Sequence, residues 1–217
     1  QAWELNQKGR NNIIIGGNLW LKMGRRNIIN AIDLSSLGLD KIEEDEGGFR
    51  IGCMATLHDI ETHEGLNKEF QNLFKEAVRH IVGVQFRNCA TIGGSIFPKL
   101  GFSDVLTAFL ACDTQVILYK KGEVPLREFI YIPTDNDILT HLYVKKDGRK
   151  TAYESFRMTE TDFPTITCAM AKTQDGFETV LGARPKHAEV VVDEVVADAF
   201  SSEEVSDYAK RVIGKLQ

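Results

Sequence analysis

No two cysteines in this chain are close enough to form a C-x-x-C pair. Cys53, Cys89, Cys112 and Cys168 are scattered, and so are the five histidines. Zinc and iron–sulfur sites draw their ligands from tight local spacings, so the chain is not expected to hold a metal or cluster of its own. Four reduced, mostly buried thiols in a cytoplasmic protein are expected instead. His58 and His63 cannot share a helix face and read as surface or turn residues. No apolar run is long enough to span a bilayer, and no charged-then-apolar signal segment opens the chain. Basic residues never gather in a cluster of five or more. The formal net charge is −5, which argues against nucleic acid and against an anionic membrane surface as partners. Three phosphate or nucleophile motifs are also missing: G-x-x-x-x-G-K-(S/T), G-x-G-x-x-G after a strand, and the G-x-S-x-G elbow. A nucleoside triphosphatase, a Rossmann dehydrogenase and a serine hydrolase are therefore unsupported.

What is present suits a soluble globular protein. The 217 residues, 43% hydrophobic and 26% charged, make one large domain or two small ones with ample core. The chain does not begin with Met and starts inside a helix-like stretch, AWELNQKG, so its natural start is expected a little upstream. Residues 2–8 read as a helix, and 12–15 and 27–34 as strands. Residues 39–54 read as two strands joined by a tight turn at Gly47-Gly48. Thr56 caps a helix over 56–63. Leu66, Phe70, Leu73, Phe74, Ala77, Val78 and Ile81 fall at three- and four-residue intervals, which predicts one amphipathic helix over 66–82 ended by Gly83. Ser103 caps a helix over 104–112. Residues 114–121 and 137–145 read as strands, with a turn and short helix at 124–129. From about residue 150 the texture changes: 152–158, 165–173 and 177–185 alternate like three antiparallel strands, and an acidic helix is expected over 202–216. A boundary near 150 separates a mixed α/β unit from a small α+β unit.

The chain places Gly-Gly between apolar residues twice, as Ile15-Gly16-Gly17-Asn18 and Ile92-Gly93-Gly94-Ser95. Glycine permits positive φ and close approach to the backbone. A Gly-Gly pair can align successive N–H groups into a nest that binds anions, phosphates above all. Asn18 and Ser95 would add side-chain donors at the rim, and two such loops suit a diphosphate with apolar ends on either side. The alternative is that both are tight strand-to-helix turns where a side chain would clash. The third pair, Gly47-Gly48, lies among acidic residues, where a hairpin turn explains it fully.

The series IIIGGNLWLKMG, IGCMATLHDIE, IVGVQFRNCATIGGSI, SDVLTAFLACD, VPLREF and YESFR resembles the FAD-binding (medium) subunit of the xanthine dehydrogenase and carbon monoxide dehydrogenase family of molybdenum hydroxylases. The motifs occur in the family's order across nearly the whole chain. The resemblance implies an α+β fold: a two-subdomain FAD-binding domain of the vanillyl-alcohol oxidase (PCMH) type over residues 1–150, then a small carbon monoxide dehydrogenase flavoprotein C-terminal-like domain over 151–217. It implies FAD as the cofactor, and because neither I-G-G loop contains a His or Cys the flavin is expected to be held non-covalently. It assigns Ile13, Ile14, Ile15, Gly16, Gly17, Asn18, Leu19 and Trp20 to a first phosphate loop, and Thr91, Ile92, Gly93, Gly94 and Ser95 to a second. It places Asp104 and Ile81 on the adenosine side, and Leu139 and Arg157 near the flavin. The relatives often carry Thr at position 18 and Asn at position 95, so altered contacts are expected there. The implied activity is that of an oxidoreductase. The chain would pass electrons from an iron–sulfur subunit, fed by a molybdenum-cofactor subunit that oxidises the substrate, through FAD to an acceptor such as NAD. The alternatives are a stand-alone flavin oxidase or reductase of the same superfold, and a flavin-free scaffold subunit.

Overall fold

A short helix, α1 (Ala2–Gln7), leads into β1 (Asn12–Ile15), which pairs in parallel with β2 (Asn30–Asp33). Parallel neighbours need a crossover. Here the crossover is residues 16–29, so the first I-G-G-N sits at the carboxyl end of β1, followed by a single 3-10 turn at Leu21–Met23. The computed structural model describes residues 1–193, and the helix expected over 202–216 lies outside them.

β3 (Ile42–Glu44) and β4 (Gly48–Gly52) form the expected hairpin. Its turn is held by Asp45, whose Oδ1 accepts from the N–H groups of Gly47 and Gly48 at 2.7 and 2.8 Å. α2 (Leu57–Thr62) opens with a reciprocal cap: Asp59 N–H donates to Thr56 Oγ1, and Thr56 N–H donates to the Asp59 carboxylate. Such a cap contributes about 1 kcal/mol.

The single helix expected over 66–82 is broken in two, α3 (Glu64–Glu69) and α4 (Leu73–Val78). Between them Gln71 and Asn72 both take positive φ, 46° and 64°. The cause is competing hydrogen bonds. The Asn67 amide donates to the carbonyls of Ile60, Glu61 and His63, and its oxygen accepts from Lys75 N–H. Thr151 pulls on the same break, donating from its N–H to Gln71 Oε1 and from its hydroxyl to the Phe70 carbonyl. The apolar set is nevertheless buried as the spacing predicts, apart from Ile81, which is only half-buried.

Three short helices follow, α5 (Val84–Arg87), α6 (Ile92–Ile96) and α7 (Asp104–Leu110). Then come β5 (Thr114–Leu118), β6 (Gly122–Pro125), α8 (Leu126–Phe129) and β7 (Leu139–Lys145), completing a five-stranded sheet of order β3-β4-β7-β5-β6. β8 (Lys150–Arg157), β9 (Pro164–Thr173) and β10 (Gly176–Gly182) are antiparallel neighbours, and β11 (Glu189–Asp193) adds a fourth strand that the alternation had not marked.

α7 is buried along all of its length, because it packs on β9 and β10 of the four-stranded sheet and against α4, α6 and α8. Thr107 on α7 meets Thr167 on β9, Oγ1 to Oγ1, at 2.9 Å. Leu142 and Val144 of the five-stranded sheet and Ala169 and Val180 of the four-stranded sheet share one core with it. A chain of rings runs through that core: Phe49 to Phe70, Phe70 to Phe74 at 5.4 Å, and Phe74 to Phe109 at 4.6 Å between centroids. Each such ring contributes about 2–3 kcal/mol by burial. Among the described residues no helix is long and apolar enough to cross a membrane.

Candidate functional site

The two I-G-G segments lie against each other. A Cβ on Gly17 would stand 1.6 Å from the Cys89 carbonyl oxygen, and one on Gly16 would stand 2.5 Å from Thr91 Oγ1. Both distances are too short for any side chain, so the glycines of the first segment are there to let it lie on the residues leading into the second. Neither glycine uses positive φ. That conformation falls on Asn18, at 59°.

Their N–H groups differ. In the first segment the N–H groups of Gly17, Asn18, Leu19 and Trp20 have no partner among the described residues. Asn18 is exposed, its side chain without a partner among the same residues, and Trp20 is 55% exposed. Ile13, Ile14 and Ile15 form the half-buried strand that ends at this run. The second segment is the first turn of α6. Ile92 N–H donates to Ala55 O, Gly93 N–H to Cys53 O at 2.8 Å, Gly94 N–H to Thr91 Oγ1, and Ser95 N–H to Thr91 O. The Ser95 hydroxyl also turns back onto Thr91 O, at 3.0 Å. The expectation of two equivalent nests with polar rims is corrected: the second loop's donors are bonded within the chain, because the loop is a capped helix start. A Cβ on Gly93 would stand 2.9 Å from Cys53 O, so tight packing explains that glycine.

The remaining sequence-predicted residues fall in three places. Asp104 and Arg157, expected at opposite ends of a cofactor, form a buried ion pair, their side chains 5% and 7% exposed. The Tyr153 hydroxyl donates to the same Asp104 oxygen at 2.6 Å. Burial lifts the Asp104 carboxyl above its ordinary value, and Tyr153 and Arg157 offset only part of that rise. Burial and the Asp104 charge push the Tyr153 hydroxyl up. Arg157 Nε is buried with no acceptor among the described residues, and an orphaned guanidinium N–H costs free energy until something accepts from it. Leu139 is a core residue at the start of β7. It neighbours Thr140, whose carbonyl takes the Cys53 N–H, and Cys53 O in turn takes the Gly93 N–H. Ile81 is held from α5, where Arg87 Nη1 donates to its carbonyl at 3.3 Å.

Sequence reasoning missed several residues here. Phe102 and Phe163 pack on Trp20, with ring centroids 5.5 and 6.2 Å away and 4.7 Å from each other. Phe102 directly precedes the noted Ser103-Asp104, which is a signal of sorts. Phe163, on the β8–β9 turn, had none. Arg87 lies inside the motif with no local signal of its role, and Cys89 reads from the sequence only as one of four scattered thiols.

The residues around the first segment fit a dinucleotide with a diphosphate. Four consecutive N–H groups unbonded among the described residues offer anion donors, and the rings of Trp20, Phe102 and Phe163 gather at the end of that run. Comparison with known proteins agrees. A family described as the FAD binding domain in molybdopterin dehydrogenase matches residues 1–144. The chain is 27% identical over 152 residues to the protein YgfM of Escherichia coli (strain K12), an alignment covering 70% of this chain and 57% of that protein. The chain thus spans little more than half of that relative's length. It is 24% identical over 224 residues to the glyceraldehyde dehydrogenase medium chain of Sulfolobus acidocaldarius, covering 94% of this chain and 79% of the other. Its fold matches a chain of the carbon monoxide dehydrogenase from Hydrogenophaga pseudoflava with a TM-score of 0.82 at 22% identity, covering 98% of this chain and 82% of that one.

Proposed function

The chain belongs to the family of FAD-binding domains in molybdopterin dehydrogenases, and on that premise we propose that it is the flavoprotein electron-transfer subunit of a multi-subunit molybdenum hydroxylase. FAD is its cofactor and, when bound, supplies the redox chemistry; the chain binds, orients and screens it. In this reading residues 1–150 form the FAD-binding unit and the strands from 151 on begin a C-terminal unit. Electrons arrive from an iron–sulfur subunit, which a molybdenum-cofactor subunit supplies, and leave to an acceptor such as NAD.

The observation that carries the reading is the unbonded run of N–H groups from Gly17 to Trp20, seated on the turn that opens α6. These donors would hold the diphosphate. The second segment supports it from beneath: Thr91 both caps α6 and lies over Gly16. Trp20, Phe102 and Phe163 would border a flat ring, and Arg157 Nε would donate to an acceptor on the cofactor, with Asp104 and Tyr153 fixing the guanidinium. Asp104 balances the Arg157 charge, so the pair orients more than it attracts.

The test is the visible absorption spectrum of the purified chain, followed by acid release and mass identification of any flavin. Release of FAD, in an amount near one per chain, is the expected result. A folded, colourless protein that also fails to bind added FAD would overturn the reading.

A further inference from the structure

α2 touches the second I-G-G segment at its start and α5 at its end. At its start, Thr56 bridges Thr91, Leu57 N–H donates to Ala90 O, and Ile92 N–H donates to Ala55 O. At its end, Glu61 receives Arg87 of α5 through two parallel bonds, Nε to Oε2 at 2.8 Å and Nη2 to Oε1 at 3.0 Å. The pair is nearly enclosed, with side-chain exposures of 7% for Arg87 and 14% for Glu61. Burial alone would raise the Glu61 carboxyl, but the hydrogen bonds from Arg87 and His58 outweigh it and leave it below its ordinary value. The third donor of Arg87 reaches the Ile81 carbonyl. One side chain therefore fixes the segment entering α5 and the helix itself.

α5 leads straight to the surface on which the first segment rests. Cys89 and Ala90 N–H groups both donate to Phe86 O, closing the last turn of α5. The Cys89 carbonyl, at the end of that turn, is the one against which Gly17 is laid. A rotation of α5 about its α2 contact would carry that carbonyl into or away from Gly17, and with it the donors of residues 17–20. A two-bond guanidinium–carboxylate contact resists such rotation in a way that apolar packing does not, because it sets angle as well as distance.

We propose that Glu61 and Arg87 are positioning residues for the cofactor: their buried pair fixes α5 on α2 and so sets the seat of the first segment's N–H donors. This rests on the FAD reading above. The pair touches no ligand itself.

The test compares four purified chains, wild type, Arg87→Lys, Arg87→Met and the double variant Glu61→Leu/Arg87→Met, by titration of flavin-free protein with FAD and by thermal midpoint of the same flavin-free protein. Removing both charges together relieves the unpaired buried partner, so the double variant should recover the wild-type midpoint. It should still bind FAD at least about tenfold more weakly. Arg87→Lys keeps the charge but not the fork and should bind FAD at an intermediate affinity. If Arg87→Met does not fold, Glu61→Gln replaces it, with the same direction expected. A double variant with both wild-type midpoint and wild-type FAD affinity would overturn the proposal, leaving the pair a packing contact. Absence of FAD binding by the wild type would overturn the functional reading instead, and this inference with it.

Discussion

The loop after β1 and the turn that opens α6 share three residues in four, yet one leaves its N–H groups open and the other closes them. The difference lies in the backbone that each pair enters and in the atoms that surround it. Gly16 and Gly17 leave a strand in a parallel unit and pass into an irregular crossover, with nothing nearby among the described residues to accept from the next four N–H groups. Gly93 and Gly94 come after Thr91, a helix cap that takes the Gly94 N–H, while the carbonyls of Ala55 and Cys53 take those of Ile92 and Gly93. The same dipeptide therefore supplies donors in one place and a scaffold in the other. Glycine is needed in both for closeness to neighbouring atoms rather than for left-handed backbone.

The comparison can be broken by substitutions that separate ligand affinity from stability. The largest effect is expected from Gly17→Val, whose side chain would meet the Cys89 carbonyl and push the first segment off its seat. FAD affinity should fall by at least about 100-fold, read by titration of the flavin-free chain. Gly93→Val should act on the fold first. Its side chain meets Cys53 O, and such overpacking costs about 1–3 kcal/mol, lowering the thermal midpoint by roughly 2–4 °C for each kcal/mol. If Gly93→Val instead leaves the midpoint unchanged and abolishes FAD binding, the second loop is a ligand contact and the contrast between the two loops fails. Thr91→Ala removes the cap on Gly94 and should cost about 1 kcal/mol, seen as a midpoint shift of a few degrees.

Two smaller effects sharpen the picture. Glu61 is held below its ordinary value in the folded chain, so its contribution is present above the unfolded carboxylate range and is lost as pH falls through the folded value. Between about pH 5 and pH 3 the wild-type midpoint should therefore fall more steeply than that of Glu61→Gln. Equal slopes would show that the carboxylate gains nothing from its partners. The thiols supply the last test. Cys53 and Cys112 are buried, with their thiols pushed up to about 12, and burial raises Cys168 to about 11. Cys89 is exposed beside the first segment. A disulfide reagent near pH 8 should label one thiol per chain rapidly, and peptide mapping should find it at Cys89.

Much of this was legible in the sequence, for physical reasons that differ by element. The strands from 150 on show because one face is buried and the other is not, which writes alternation into the chain. Leu66 through Val78 show as a buried apolar face because three- and four-residue spacing survives a break in the helix. The break itself is invisible, since it depends on the Asn67 side chain taking the carbonyls of the preceding turn and on Thr151 reaching back to Phe70, far along the chain. The repeated I-G-G pointed to two segments that do meet. Their asymmetry could not be read, because it is set by the carbonyls of Cys53 and Ala55. The pairing of Asp104 with Arg157 is likewise a tertiary fact, as is the approach of Phe163 to Trp20. The resemblance to a flavoprotein family carried the cofactor, which local chemistry alone left open.

The seat of Gly17 also imposes an order of assembly. Gly17 lies on Cys89 and Gly16 on Thr91, and the stretch they belong to is held in turn at Ala90 by Leu57, at Thr91 by Thr56, at Ile92 by Ala55 and at Gly93 by Cys53. During synthesis the first segment leaves the ribosome before any of its supports exist. It can close only after a much later stretch has built the surface beneath it, and contacts so far apart along the chain form slowly. The part made before its supports is then finished after them, and until that moment its apolar strand and open N–H groups stay available to other chains.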